Sequence, residues 1–312
     1  MTRLADLAEL VRAPAALSVP GDVLSGAAAA GTLDRRTPAL AGASVLLYWA
    51  GMAANDWADR RLDAVERPER PIPSGRIRPA TALGVAAGLT AAGLAVAGAA
   101  GGRRATAVAV PLAATIWGYD LLAKNTAAGP AVMAACRGLD VLLGASVGPR
   151  RGREAPRADR GPVRALPAGR GPVRALPAGS GLVRALPAAL TVAAHTWTVT
   201  ALSRREVSGA DRRLPRATLA GTALVAATAL GRPDPVPVAL AAGYAGRYGA
   251  AQARVLADPS PARVRAAVGA GITGLPALQG ALTARAGARL LGLAVAAAAP
   301  LGRRLARLIS PT

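Results

Sequence analysis

The feature that most constrains the fold is a series of long Ala, Val, Leu and Gly runs separated by short arginine clusters. The runs Thr81–Ala100 and Ala105–Ala123 are each long enough to cross a bilayer, which needs about 20 apolar residues. We therefore expect an all-α, polytopic membrane helical bundle with about nine transmembrane helices. The expected spans lie near residues 14–31, 38–55, 80–101, 105–123, 128–148, 188–203, 215–231, 235–254, 264–283 and 286–302, with a re-entrant or interfacial segment as the alternative for one of the last three.

Basic residues are distributed unevenly between the two sides of the expected bundle. With the N-terminus inside, the inner segments hold 20 Lys and Arg residues, and the outer loops other than 149–187 hold 7. Such an excess marks the cytoplasmic side of a membrane protein. The net charge of +21 is therefore assigned to membrane topology, and nucleic-acid binding is not expected.

The middle of the chain contains a short repeat. The ten residues of 160–169 recur as 170–179 and more loosely as 180–189. Two prolines in each of the first two units argue against a long helix. We expect a single domain over residues 1–312, interrupted by a low-complexity Arg/Pro/Gly loop at about 149–187.

An acidic motif ends the second apolar run. Asn55, Asp59 and Asp63 are spaced i, i+4, i+8, so on a helix they lie on one face. Amide and carboxylate oxygens are hard ligands that Mg²⁺ accepts when it also holds substrate phosphates. The guanidinium groups of Arg60 and Arg70 are suited to phosphate oxygens. The motif indicates a diphosphate site at a membrane edge, with a solvated polar loop as the alternative.

Polar residues elsewhere on the expected inner side or within spans are further candidates. Lys124 is the only lysine of the chain and follows Tyr119 at the end of the fourth span, where a phosphate contact and an interfacial anchor are the two interpretations. Arg137 and Asp140 lie at i, i+3 inside the fifth span, where they can pair and line a substrate site. The lone histidine, His195, is expected to be a satisfied polar residue inside the sixth span.

The acidic motif resembles that of a known family. Asn55, Asp59 and Asp63, followed by Arg-Pro-Ile-Pro-Ser-Gly at 70–75, are similar to the first aspartate-rich motif of the UbiA superfamily of intramembrane prenyltransferases. The later Tyr119-to-Lys124 segment fits the same order along the chain. Segments 18–24, 129–139 and 201–207 resemble the EboC-type branch, which is typically bacterial.

The resemblance implies a helical bundle around a central cavity in a bacterial plasma membrane, with the active site facing the cytoplasm. It implies that Asn55, Asp59 and Asp63 hold Mg²⁺ and that Lys124 and Tyr119 contact an isoprenyl diphosphate. Asp59 and Asp63 would be the catalytic residues. Loss of diphosphate would then leave an allylic cation for a small-molecule acceptor.

The second family motif departs from its usual pattern of two aspartates four residues apart. At the inner end of the sixth span only Glu206 and Asp211 offer carboxylates, and their i, i+5 spacing does not share a helical face. Glu206 is the candidate metal ligand here, and Arg204 is a candidate substrate-binding residue. One interpretation is that a single metal suffices, with Arg204 replacing part of the second metal's charge. Alternatively the substrate differs, or catalysis is lost and the protein is a non-catalytic membrane carrier or assembly component.

Overall fold

The computed structural model describes residues 3–13, 18–148, 180–230 and 234–298, and within these ranges every regular element is a helix. A short helix α1 (Leu4–Leu10) precedes the longer helices. These are α2 (Val19–Ala30), α3 (Thr37–Glu66), α4 (Pro79–Gly118), α5 (Gly129–Ala145), α6 (Ser180–Ser203), α7 (Arg213–Ala229), α8 (Pro235–Ala257), α9 (Pro261–Arg285) and α10 (Arg289–Ala298). A π-helical turn, Tyr119–Ala123, continues α4. The expected helical bundle is confirmed.

Helix α4 contains two of the expected spans, joined at a sharp break. Gly102 adopts φ 62° and ψ −155°, which is outside the helical region and is accessible to glycine because it has no Cβ. Arg103 and Arg104 follow directly, so the break carries the charged pair expected between the two spans. The sequence-based division of this segment is therefore confirmed.

The expected loop at 149–187 is wrong at its C-terminal end, because α6 already begins at Ser180. The third repeat copy has Leu182 in place of the first proline and Ala189 in place of the final glycine. Only Pro187 remains, and the helix accommodates it. Residues 149–179 lie outside the described ranges, and the single-domain organisation stays a prediction.

Small residues bring helices of the bundle into close contact. A Cβ atom added at Gly26 of α2 would lie 1.8 Å from the carbonyl oxygen of Val141 in α5, and one at Gly144 of α5 would lie 1.9 Å from that of Val23. Backbones can approach this closely only where side chains are missing. Helix α2 also contacts α9, so an early and a late helix of the bundle meet.

Three helical segments are long and apolar enough to span a bilayer by length and composition alone. These are Thr37–Glu66, Pro79–Ala123 and Gly181–Ser203. Helices α2 to α10 follow the expected spans in order. The crossing number of about nine stays a prediction.

Candidate active site

The acidic motif occupies the last three turns of α3, where it meets the turn after α4. The Lys124 ammonium lies 2.5 Å from Asp59 Oδ1 and donates to Asn55 Oδ1 at 3.2 Å. This contact depends on the π-helical turn Tyr119–Ala123, which delivers Lys124 to the α3 face. The structure thus brings Asn55, Asp59 and Lys124 together.

The third motif residue, Asp63, is held by arginines of the loop after α3. Asp63 is buried, with 2% of its surface exposed. Its carboxylate lies 2.6 Å from the Arg70 guanidinium and 4.0 Å from that of Arg67. Arg70 also reaches Asp56 at 3.4 Å, so one guanidinium links two carboxylates. The Arg-Pro-Ile-Pro-Ser-Gly segment therefore positions the cation that neutralises the end of the acidic motif.

Helix α1 delivers another cation to this region. Arg76 of the same loop binds Glu9 at 2.6 Å and Asp6 at 2.9 Å, which fastens α1 over the motif. The next turn places Arg12 with φ 45°, in the left-handed region that non-glycine residues seldom adopt. Its guanidinium then lies 2.7 Å from Asp56. No spacing in the sequence signals this contact, which joins residues far apart in the chain.

Two adjoining cavities extend from the motif into the bundle. The motif chamber, of about 250 Å³, is lined by Arg12, Asn55, Tyr119 and Asp120 together with apolar side chains. The apolar chamber, of about 330 Å³, is lined by residues that include Arg137, His195, Val199, Ile272 and Leu275. Both chambers share Tyr48, Met52, Tyr119 and Met133, so the pocket beside the acidic motif leads directly into the apolar one.

Asp120 is a functional candidate that sequence reasoning missed. It lies on the π-helical turn, is 7% exposed and lines the motif chamber beside Asn55. No hydrogen bond or ion pair joins its carboxylate to any residue that the structure describes. The available signal was its place between Tyr119 and Lys124, because π-helical turns are frequent at functional sites.

Arg60 lies away from both chambers. Its guanidinium donates to the Trp57 carbonyl oxygen at 2.7 Å and stacks 4.5 Å from the centroid of the Trp57 ring. It follows Asp59 directly and is therefore turned about 100° from the motif face. The phosphate contact assigned to Arg60 stays a prediction that this arrangement does not support.

The second motif region does not face the first motif with two carboxylates. Asp211 accepts hydrogen bonds from the backbone of Leu214 and Arg213 at 2.9 and 3.0 Å, which lower its pKa and begin α7. Glu206 lines neither chamber, and partial burial raises its pKa. Arg204 instead donates to the Thr126 carbonyl oxygen, which places a cation beside the Lys124 loop. The metal-ligand role of Glu206 finds no geometric support.

The expected pairing of Arg137 with Asp140 is wrong, because Arg137 forms its ion pair with Asp22 instead. Arg137 Nε lies 2.7 Å from Asp22 Oδ2 of α2, and Asp140 accepts from the Ser44 hydroxyl of α3. Both side chains of the ion pair are buried, at 8% and 0% exposure. Because α5 faces α2 and α3, its charged residues find partners there rather than along their own helix.

His195 is the satisfied polar residue that the sequence predicts. Its Nδ1 lies 2.9 Å from the Tyr244 hydroxyl, and the ring meets Tyr244 and Tyr248 edge-on. It is buried at the wall of the apolar chamber. The contact with Tyr244 makes it a packing residue of the α6–α8 interface.

The donor set can be compared with the needs of Mg²⁺. Among the residues that the structure describes, no three His, Cys, Asp or Glu side chains converge as a ligand group. Mg²⁺ commonly takes only one or two protein carboxylates, with water and substrate phosphates completing the shell. The unpaired Asp120 carboxylate beside Asn55 matches that smaller requirement. The residues present therefore fit the ion in their chemistry.

The fold and site define a helical membrane protein with acids and cations at the mouth of an apolar chamber. The sequence matches the UbiA prenyltransferase family over residues 23–268, and the chain belongs to that family. The EboC-type branch stays a prediction.

Named relatives match shorter segments. Digeranylgeranylglyceryl phosphate synthase of Methanothrix thermoacetophila is 46% identical over 84 residues, which cover 27% of this chain and 30% of that protein. The bacteriochlorophyll synthase 33 kDa chain of Cereibacter sphaeroides is 41% identical over 112 residues, which cover 34% and 36%. The matched segments thus span about a third of the length of each relative.

Two solved structures share the fold over nearly the whole chain. One, described as digeranylgeranylglyceryl phosphate synthase in membranes, superposes with a TM-score of 0.63 at 16% identity over 92% of this chain and 99% of that chain. The apo structure of a UbiA homolog from Aeropyrum pernix K1 gives 0.59 at 17% identity over 90% and 97%. These similarities establish the fold, and the chemistry has to be inferred from the residues of the site.

Proposed function

We propose that this protein is a Mg²⁺-dependent intramembrane prenyltransferase that transfers an isoprenyl group from an isoprenyl diphosphate to a small-molecule acceptor. The observation that carries the proposal is the contact of Lys124 with Asp59 and Asn55 at the mouth of a chamber that opens into apolar space. The charge distribution supports a site that faces the cytoplasm of a bacterial plasma membrane.

The motif chamber and the charged side chains of the acidic motif beside it supply the groups that a diphosphate needs. Asn55 and one or two of the carboxylates of Asp59, Asp63 and Asp120 would hold Mg²⁺, whose charge would offset that of the diphosphate. Lys124, Arg12 and Arg70 present cations for its oxygens, and in the structure they are held by the carboxylates of Asp59, Asp56 and Asp63, respectively. On binding, the diphosphate would replace the carboxylates as partner of the cations, and the metal would replace the cations as partner of the carboxylates.

The apolar chamber suits the isoprenyl chain and the reaction. The bond between the allylic carbon and the diphosphate oxygen breaks, and the electron pair leaves with the diphosphate. The nucleophilic atom of the acceptor forms the new bond to that carbon and releases its proton. Side chains such as Val199, Ile272 and Leu275 exclude water, which would otherwise capture the cation.

The proposal is tested by diphosphate release from isoprenyl diphosphates with the purified full chain. We expect release that requires Mg²⁺ and falls at least about 100-fold in Asp59→Ala, because a charge-assisted contact with the substrate site is lost. Asp258→Ala serves as the matched control, since Asp258 is exposed and, within the described ranges, its side chain contacts its neighbours Ser260 and Arg263. Full release by Asp59→Ala would refute the assignment.

A non-catalytic carrier is the second candidate, and the altered second motif favours it. Asp211 caps α7 and Glu206 lines neither chamber, so the usual second carboxylate pair is missing from the described part of the chain. Movement of an isoprenyl diphosphate across vesicles without a covalent product would support this candidate. Covalent prenylated product would exclude it as the sole function.

A further inference from the structure

A buried polar network lies against the apolar chamber, away from the acidic motif. Arg137 is the one charged side chain among the residues that line this chamber. Asp22 holds it at 2.7 Å, and Gln279 of α9 donates to Asp22 at 2.6 Å. Charged side chains inside a membrane protein are energetically costly, so we expect this network to have a functional role in addition to packing.

Asp22 balances the charge of Arg137. Its carboxylate lies 2.7 Å from the guanidinium, so the two side chains form an ion pair without net charge. Asp140 accepts from the Ser44 hydroxyl, and its Oδ2 has no hydrogen-bond partner among the described residues. A further anion at this place would therefore meet no unbalanced cation of the network.

Tyr48 presents an unused polar group at the junction of the two chambers. It is 8% exposed, lines both chambers, and its hydroxyl has no hydrogen-bond partner among the described residues. The Arg137 guanidinium carbon lies 5.5 Å from the centroid of the same ring. A buried hydroxyl without a partner is destabilising, so this group is suited to a bound molecule that supplies the missing hydrogen bond.

We infer that the apolar chamber binds an uncharged acceptor, an alcohol or phenol with an apolar body, whose hydroxyl meets Tyr48 and Arg137. A hydroxyl both donates and accepts, so it satisfies the Tyr48 hydroxyl and the outward N–H groups of Arg137. The charge of Arg137 is already balanced, so a carboxylate or phosphate on the acceptor would enter as an uncompensated negative charge. The apolar wall accommodates the remainder of the molecule.

This inference rests on the proposed transferase function, but its test uses neither diphosphate nor Mg²⁺. A 4-alkylphenol and the 4-alkylbenzoate with the same chain are incubated with the full chain in nanodiscs. Protein-bound probe is measured after repurification, with empty nanodiscs as the blank for lipid partition. Loss of diphosphate release would count against the transferase alone, and failure of this binding test against the acceptor class alone.

We expect the phenol to bind at least about tenfold more tightly than the benzoate. Tyr48→Phe should weaken phenol binding about fivefold, which corresponds to one neutral hydrogen bond, and leave benzoate binding unchanged. Tyr244→Phe is the matched control, because the Tyr244 hydroxyl contacts His195 and the residue does not line the chamber. Equal or tighter benzoate binding, phenol binding unaffected by Tyr48→Phe, or no saturable binding of either probe would overturn the inference.

Discussion

Replacement of Arg137 by methionine tests the buried network quantitatively. The ion pair with Asp22 is 2.7 Å long, and exposures of 8% and 0% leave it almost unscreened by solvent. Without the guanidinium, the negative charge of Asp22 has no counterion among its contacts with the described residues. The folded protein can remove that charge only by binding one more proton.

The cost of that proton sets the expected loss of stability. For an aspartate with an ordinary unfolded pKa of about 3.9, protonation at pH 7 costs about 4 kcal/mol. Removal of one partner from a buried ion pair costs about 3–5 kcal/mol, so the two estimates agree. The cost falls to about 2 kcal/mol near pH 5.5, because solution then supplies the proton more readily. The variant should therefore gain stability relative to the wild type as pH falls.

The assay is the free energy of unfolding in mixed micelles, measured for Arg137→Met near pH 7 and near pH 5.5. The double variant Arg137→Met/Asp22→Asn removes the charge along with its partner, and we expect it to recover most of the lost stability and to lose the pH dependence. A single variant as stable as the wild type, or a loss independent of pH and of Asp22→Asn, would refute the charge balance of the network.

Three further outcomes follow from the site and the packing. Asp120→Asn should weaken Mn²⁺ binding, followed by electron paramagnetic resonance, by at least about tenfold, while Asp211→Asn binds normally; equal affinities would remove Asp120 from the ligand set. Glu206→Gln should leave Mn²⁺ binding unchanged, and a loss would restore the second motif. Gly26→Ala should lower the yield of folded protein, because its Cβ would lie 1.8 Å from a carbonyl oxygen of α5, whereas Gly42→Ala meets nothing within 4 Å and should fold; equal yields would contradict the close packing.

Local spacing was sufficient to predict the core of the candidate site. The i, i+4, i+8 pattern of Asn55, Asp59 and Asp63 fixes one helical face wherever the helix packs. Lys124 follows another polar segment expected on the same side of the membrane, and the structure brings it to Asp59. The spacing along one helix and the expected membrane topology were therefore enough to place these residues on the same side of the bundle.

Long-range contacts could not be predicted in the same way. Arg137 has Asp140 as a neighbour on its own helix, yet it pairs with Asp22, which is distant in sequence and close only because α2 packs against α5. The position of Asp120 depends on a π-helical turn, which changes the direction of each side chain relative to an α-helix. Such features depend on tertiary packing, which one sequence does not specify by spacing.

The most direct test of the central claim is equilibrium binding of a non-hydrolysable isoprenyl thiodiphosphate to the full chain, with and without Mg²⁺. Lys124→Met is measured beside the wild type, since Lys124 joins Asp59 and Asn55 at the chamber mouth. We expect binding that needs Mg²⁺ and weakens about 10- to 100-fold in the variant, as for loss of a charge-assisted contact. Equal affinity in all four measurements would contradict the assignment of the acidic motif as a diphosphate site.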